Sequence, residues 1–299
     1  MAALVEQASG QKSGRAAQAA APRDRLRGEL FLHGREQGRV EDGLVIPPER
    51  LAAIDQKAGE LLPAFRRIAK DAPDELTTWV VMRKAPPLPF LPSEWHGSEV
   101  VIFAACYSGD MKEGEKALQG LRALGKPIAD VISPHPFTGW QAAFDPLLTP
   151  GARNYWKSHD FNDLPDAAIK VILQAVHTLP SPECEVFIAH VGGAMARVSA
   201  EATAWSNRQA HFVMNAHARW RDRDQDGACI AWAKKLSNAA APFAMGSAYI
   251  NFMPEDEHDR VEAAYGANYG RLAEIKRRYD PDNLFRMNQN IRPINDRRQ

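Results

Sequence analysis

The stretch EVFIAHVGG (185–193) is followed, after a short connection, by HFVMNAHARW (211–220). Both are rich in β-branched and aromatic residues and read as strands. Upstream, LTTWVVMR (76–83) and EVVIFAACY (99–107) read the same way, and the proline-rich APPLPFLPSEWHG between them cannot join a ladder and reads as a long loop. Parallel strands need a long crossover between them, so strands that follow one another so directly point to antiparallel pairing. Working outward, the pattern gives a helix near 112–124, a strand in PIADVIS, a helix near 138–145, a strand over NYWKSHDF (154–161) and a helix near 165–178. Beyond the opening pair it gives a helix over 224–241, a strand in SAYINFM (247–253) and two helices across 255–278. The fold class predicted is α+β, a large mixed or antiparallel sheet with helices packed on one face.

Residues 1–42 differ from the rest: rich in Ala, Gly, Arg and Gln, they hold few large apolar residues between Val5 and Leu30 and are expected to be disordered or weakly helical. From Gly43 the pattern is regular. GLVIP is a short apolar run, Pro47 and Pro48 suit the first turn of a helix, and ERLAAIDQKAGELLPAFRRIA recurs at helical spacing with a kink expected at Pro63. The domain division predicted is therefore 1–42 and 43–299.

Charge excludes some partners. Thirty-seven basic and 37 acidic residues cancel, which removes the electrostatic footprint that nucleic acid or an anionic membrane requires, and neither is an expected partner. Cys106, Cys184 and Cys229 are widely spaced and form no CxxC pair, so a reducing cytoplasm fits best. The nine histidines form no metal-ligand spacing, and no GxGxxG or GxxxxGK[ST] cradle is present to hold a pyrophosphate.

Polar residues interrupt the apolar strands at four places. NYWKSHDF places Tyr155, Lys157 and His159 on one face and Asn154, Trp156 and Ser158 on the other; HFVMNAHARW places His211, Val213, Asn215, His217 and Arg219 together; Tyr249 and Asn251 alternate in SAYINFM; and Asn288, Gln289 and Asn290 adjoin one another near the C-terminus. Singly, Lys157, His159 or Arg219 reads as solvent-facing and Tyr249 as a core ring. Together they read as the floor of a cleft for a neutral heterocycle, because side-chain amides match alternating donors and acceptors. The pyrimidine edge of a flavin presents that alternation. DPDN (280–283) reads as the turn that stops a helix whose last turn is basic.

The ending, YGANYGRLAEIKRRYDPDNLFRMNQNI, resembles the C-terminal berberine-like segment of FAD-linked oxidases of the berberine bridge enzyme type, in the vanillyl-alcohol oxidase superfamily. SAYINFM resembles that family's Y-x-N-[YFH] strand, and TGWQAAFDPLL, GARNYWKSHDF and HVGGAMARV resemble bacterial members, so the likeness covers roughly residues 43–293. The resemblance implies an antiparallel substrate domain over the isoalloxazine ring of FAD, acting on small molecules by hydride transfer. It implies Asn251 and Asn288, Gln289 and Asn290 near the flavin and Tyr249 facing the substrate. Phe252 stands where the family often has a catalytic tyrosine, and Asn215 where the plant enzyme has an acidic base; neither can take a proton. Tyr249, His217 and His159 remain as candidate bases.

The family's separate FAD-binding domain is not recognisable in the first 42 residues. The chain is therefore expected to be the substrate-binding half of an oxidoreductase, through truncation, frameshift or a split gene, with a separate FAD-binding domain or chain as partner. The alternatives are a non-catalytic small-molecule binding module and an inactive remnant.

Overall fold

The computed structural model describes residues 39–40, 44–46 and 54–294, with side chains from residue 60 onward except that of residue 135. The expected disorder of the N-terminal segment and the helix start at Pro47 and Pro48 lie outside the described residues. Seven strands form the main sheet: β1 (Leu44–Ile46), β2 (Leu76–Lys84), β3 (Glu99–Tyr107), β4 (Ala129–Asp130), β5 (Arg153–Phe161), β6 (Glu185–His190) and β7 (Phe212–Trp220). Their order is β4-β1-β3-β2-β6-β7-β5, and each neighbouring pair is antiparallel. A two-residue ladder joins Arg39–Val40 to His135–Pro136.

The helices α1 (Ile54–Lys70), α2 (Met111–Arg122), α4 (Asp166–Val176) and α6 (Asp226–Ala240) cover one face; the short α3 (Phe137–Ala142) and α5 (Ala194–Arg197) lie in connections. The chain closes with α7 (Val261–Tyr265) and α8 (Tyr269–Tyr279). Each covering helix buries a stripe at three- and four-residue spacing: Leu118 and Leu121 on α2, Ile169, Ile172 and Val176 on α4, Cys229, Trp232 and Leu236 on α6. The stripes meet alternate strand residues such as Val80, Met82, Phe103, Val186, Ile188 and Met214 in one continuous core. Asp110 starts α2 by accepting from the backbone N–H groups of Lys112 (2.9 Å) and Glu113 (3.3 Å). Gly114 follows because the Tyr107 ring lies flat on that turn: a Cβ there would sit 2.7 Å from Tyr107 Cδ1.

The long strands lie where the sequence places them, and two elements differ. PIADVIS pairs only at Ala129–Asp130. SAYINFM is not a strand: Met245 and Ser247 bond the backbone of Asp160 at the sheet edge, after which the chain leaves the ladder and closes a 3₁₀ turn over Ile250–Phe252. Its Ala248, Ile250 and Met253 pack with Val261 and Ala264, and its Tyr249 and Phe252 with Val191, Ala210 and Val213, rather than pairing in the sheet. The amide run near the C-terminus lies in irregular chain, where Asn288 takes a left-handed φ of 59°. The helix ending at Tyr279 stops as expected, with Asp280 accepting from the N–H groups of Leu284 (2.7 Å) and Phe285 (3.0 Å). Pro63 sits inside α1.

Candidate functional site on the helix-free sheet face

The β5–β7 register pairs Ser158 with Asn215 and Trp156 with His217, and the β6–β7 register pairs Asn215 with Phe187 and His217 with Glu185. Residues directly opposite in an antiparallel pair share a face. Asn154, Trp156, Ser158, Asn215, His217, Arg219, Glu185 and Phe187 therefore occupy the face without the core helices. The turn carrying Tyr249, Ile250, Asn251 and Phe252 crosses it: the Phe252 ring centroid lies 5.2 Å from Trp156, 5.6 Å from Phe187 and 5.0 Å from Tyr249. Asn251 Nδ2 donates to Tyr249 Oη at 2.8 Å.

This arrangement corrects the expectation that Tyr155, Lys157 and His159 share the cleft with Asn215 and His217. Those three lie on the helix-covered side, because the register aligns the even-numbered residues of β5 with the odd-numbered residues of β7. His159 is buried beneath α6, where its Nε2 meets Ser237 O at 2.9 Å and its Nδ1 lies 3.4 Å from Arg260 Nη2. A guanidinium donates, so Nδ1 accepts and Nε2 carries the proton. Burial, with Arg260 and Lys157 nearby, holds the His159 imidazole below its ordinary pKa. Lys157 is not solvent-facing; it is buried and pairs with Asp256 at 3.3 Å and Glu257 at 3.2 Å. Arg219 is likewise buried, on the open face, and pairs with Glu183 at 2.9 Å.

His217 belongs to a charged ladder on that face. Its Nδ1 lies 3.2 Å from Glu185 Oε1 and its Nε2 lies 3.0 Å from Asn154 Oδ1. Asn154 is oriented by donating to Ala152 O at 3.1 Å. Both ring nitrogens thus face oxygen acceptors, an arrangement that a doubly protonated ring satisfies in full and a neutral one by half. Glu185 also accepts from Arg83 at 2.7 Å. Burial works to raise the Glu185 carboxyl, but the His217 hydrogen bond and Arg83 together hold it below the usual range. Both His217 nitrogens are thus engaged by side chains of the ladder, whereas Tyr249 keeps its hydroxyl at the face.

The amides of the C-terminal run divide. Gln289 Nε2 donates to Met253 O at 2.5 Å, which brings the run to the end of the Tyr249–Phe252 turn and hence beside Asn251. Asn290 Oδ1 is buried without a partner among the described residues, while Asn288 and Asn251 are exposed.

Residues 248–292 match the family described as berberine and berberine-like. An FAD-linked oxidoreductase of Dictyostelium discoideum is 27% identical over 199 residues, covering 66% of this chain and 43% of the relative. An uncharacterized FAD-linked oxidoreductase of Bacillus subtilis strain 168 is 32% identical over 135 residues, covering 45% of this chain and 30% of the relative. The wild-type BBE-like 1 of Physcomitrella patens superposes with a TM-score of 0.69 at 18% identity, over 87% of this chain and 55% of that one. The chain is similar to the C-terminal part of FAD-linked oxidases of the berberine bridge enzyme type. It spans less than half the length of these curated relatives. A chitooligosaccharide oxidase shares the fold of this berberine-like chain as well, with a TM-score of 0.67 at 19% identity over 87% of this chain and 56% of that one.

The residues of the berberine-like chain fit an uncharged ring edge. Asn215 Oδ1 and Nδ2, Ser158 Oγ and Trp156 Nε1 are buried on the open face with no hydrogen-bond partner among the described residues, as is Asn290 Oδ1. Ser158, Trp156 and Asp160 escaped the sequence reading, although Ser158 and Trp156 stand one residue from the chosen histidine and lysine. Only the long-range register says which of two alternating sets faces the cleft. Among the described residues, no helix is long and apolar enough to cross a membrane, and Cys106, Cys184 and Cys229 are free thiols. Cys106 is only partly buried, and burial pushes its thiol pKa up to about 11.

Proposed function

We propose that this chain supplies the substrate-binding half of an FAD-dependent oxidoreductase, its helix-free sheet face lying over the flavin ring. The observation that carries the reading is the Tyr249–Phe252 turn, which lies within the family-matched segment and whose Phe252 ring meets Trp156 and Phe187 on the helix-free face. FAD supplies a two-electron acceptor at its ring. Asn251, Gln289 and Asn290 would hold the uncharged pyrimidine edge, with Asn288 on the adjoining exposed turn. Tyr249 Oη, steadied by Asn251, meets the substrate oxygen and takes or holds its proton. His217 orients Trp156, whose ring it meets edge-on at 5.0 Å. Burial of the face by rings excludes water from the reacting carbon.

The phosphate-binding part of the cofactor site comes, in this reading, from a separate FAD-binding domain or chain, and the substrate is a small neutral molecule. The three free thiols suit a reducing compartment such as the cytoplasm. A second reading, ligand binding without redox chemistry, is favoured by Phe252 and Asn215, which stand at the family's proton-accepting positions and cannot accept a proton.

The test is anaerobic bleaching of FAD by a panel of small alcohols and phenols, with the chain joined to a relative's FAD-binding domain. The reading expects bleaching that slows roughly 100-fold in Tyr249→Phe. Saturable binding of the same compounds with no bleaching overturns it in favour of the binding module.

A further inference from the structure

A pair of thiols on the helix-covered side takes no part in the open face. Cys184 stands immediately before β6, and the alternation of that strand turns it to the side of Val186 and Ile188, beneath the helices. Cys229 closes the first turn of α6 and shares its buried stripe with Trp232 and Leu236. The whole of β7 lies between them along the chain, yet the two side chains are hydrogen-bonded to each other. The Cys184 thiol also donates to Arg219 O at 3.4 Å. Both residues are fully buried in the main core.

A single cysteine here needs no explanation, because a buried thiol packs as a small apolar group. Two in contact are also the precursor of a disulfide, which asks that their Cβ atoms come to about 3.5–4.5 Å of each other. What keeps the pair reduced is its surroundings. Burial raises both thiols, and the neighbouring sulfur helps to push Cys229 up to about 12. Since the thiolate is the nucleophile, neither sulfur reacts fast while the core is closed. The way in is the start of α6. Its N-cap, Gln225, makes no side-chain hydrogen bond, and the turn is held instead through Asp226. That carboxylate accepts from Arg153 Nε at 2.5 Å and Nη2 at 2.7 Å, and from Trp220 Nε1 at 2.7 Å. Arg153 is exposed, so this clamp faces solvent, and releasing it frees the turn that carries Cys229.

We propose that Cys184 and Cys229 are a modification site, a thiol pair that hydrogen peroxide converts into a disulfide fastening α6 to β6, with the Arg153–Asp226 clamp controlling access. One thiolate attacks a peroxide oxygen, which breaks the O–O bond and leaves a sulfenic acid and one water. The second thiol then displaces the sulfenic oxygen as another water. Two thiols are oxidised and one peroxide is reduced, giving one disulfide and two waters. The bond closes the chain from 184 to 229, a loop that holds β6 and β7, and so removes entropy from the unfolded state. It also takes away the thiol proton that Cys184 gives to Arg219 O, directly behind the charged ladder of the open face. None of this depends on a flavin.

The test treats the reduced full chain, folded, with hydrogen peroxide and follows the free thiols, the cross-linked peptides and the thermal midpoint. Two of the three thiols should disappear, the peptides bearing Cys184 and Cys229 should be found joined, and dithiothreitol should restore both. The oxidised chain should melt on the order of 10 °C higher than the reduced one. Cys229→Ser should abolish both the cross-link and the rise. Arg153→Ala should speed the loss of thiols roughly 2- to 5-fold without changing the product, as expected for release of a solvent-facing ion pair. Retention of both thiols until the chain unfolds would overturn the proposal. So would oxidation of either sulfur to a sulfinic acid without a cross-link, or a disulfide that pairs Cys106 instead. An unchanged rate in Arg153→Ala would refute the clamp as the point of access.

Discussion

Glu185 is the centre of the charged ladder beside the candidate site, and its removal gives a sharp test of how that face is built. The carboxylate joins Arg83 Nη1 at 2.7 Å and faces His217 Nδ1 at 3.2 Å, and both partners are nearly inaccessible, at 7% and 4%. Glu185→Ala leaves a buried guanidinium without its counter-charge, and breaking one side of a buried pair costs about 3–5 kcal/mol. With a urea m-value of about 3 kcal/mol/M for a domain of this size, the midpoint should fall by roughly 1–1.7 M. The assay is urea unfolding followed by tryptophan emission. The pH dependence has a definite sign: a carboxyl held below its unfolded pKa contributes stability above about pH 4.3 and loses it as pH falls through the folded value. Glu185→Ala should therefore show a smaller acid-side loss than the unaltered protein. Exchanging Arg83 and Glu185 together for apolar residues should cost less than Glu185→Ala alone. A Glu185→Ala penalty under about 1 kcal/mol would refute the reasoning, since it would place the ladder in the solvated class of ion pairs.

Two further outcomes follow from the helix-covered side. Phe65 is fully buried between the rings of Phe103 and Phe212, at 5.8 and 6.2 Å, so Phe65→Ala should cost about 3–5 kcal/mol by the same unfolding assay. His159 is held neutral by burial and by Arg260, so the unfolded chain takes up a proton that the folded chain refuses. Its contribution is present above about pH 6.5 and falls by up to about 1.4 kcal/mol per pH unit below that; His159→Gln should flatten the stability profile between about pH 5 and 6.5.

The strands were legible because alternation and β-branched residues mark them locally. EVVIFAACY and LTTWVVMR pair with each other over their whole length, and each carries its own signal. What lay beyond reach was which alternate residues of β5 face the site. That depends on the register with β7, a pairing set far away in sequence, and it moved His159 and Lys157 under α6 while bringing Trp156 and Ser158 to the cleft. The polar residues that read as solvent-facing are instead buried because charges on other elements complete them: Asp256 and Glu257 for Lys157, Glu183 for Arg219. SAYINFM carries a strand's composition, yet its ladder partner is the single residue Asp160. The C-terminal amides were recognisable as a group, but only the fold shows Gln289 tied to the turn that bears Tyr249.

The central claim is that the helix-free face meets a flavin ring, and the most direct measurement is a titration of lumiflavin, the ring without its phosphates, into the full chain while following flavin emission. The account predicts saturable quenching that weakens when Asn251 and Asn290 are both changed to alanine. Emission that stays unchanged through the titration, or quenching identical in the doubly substituted chain, would contradict it.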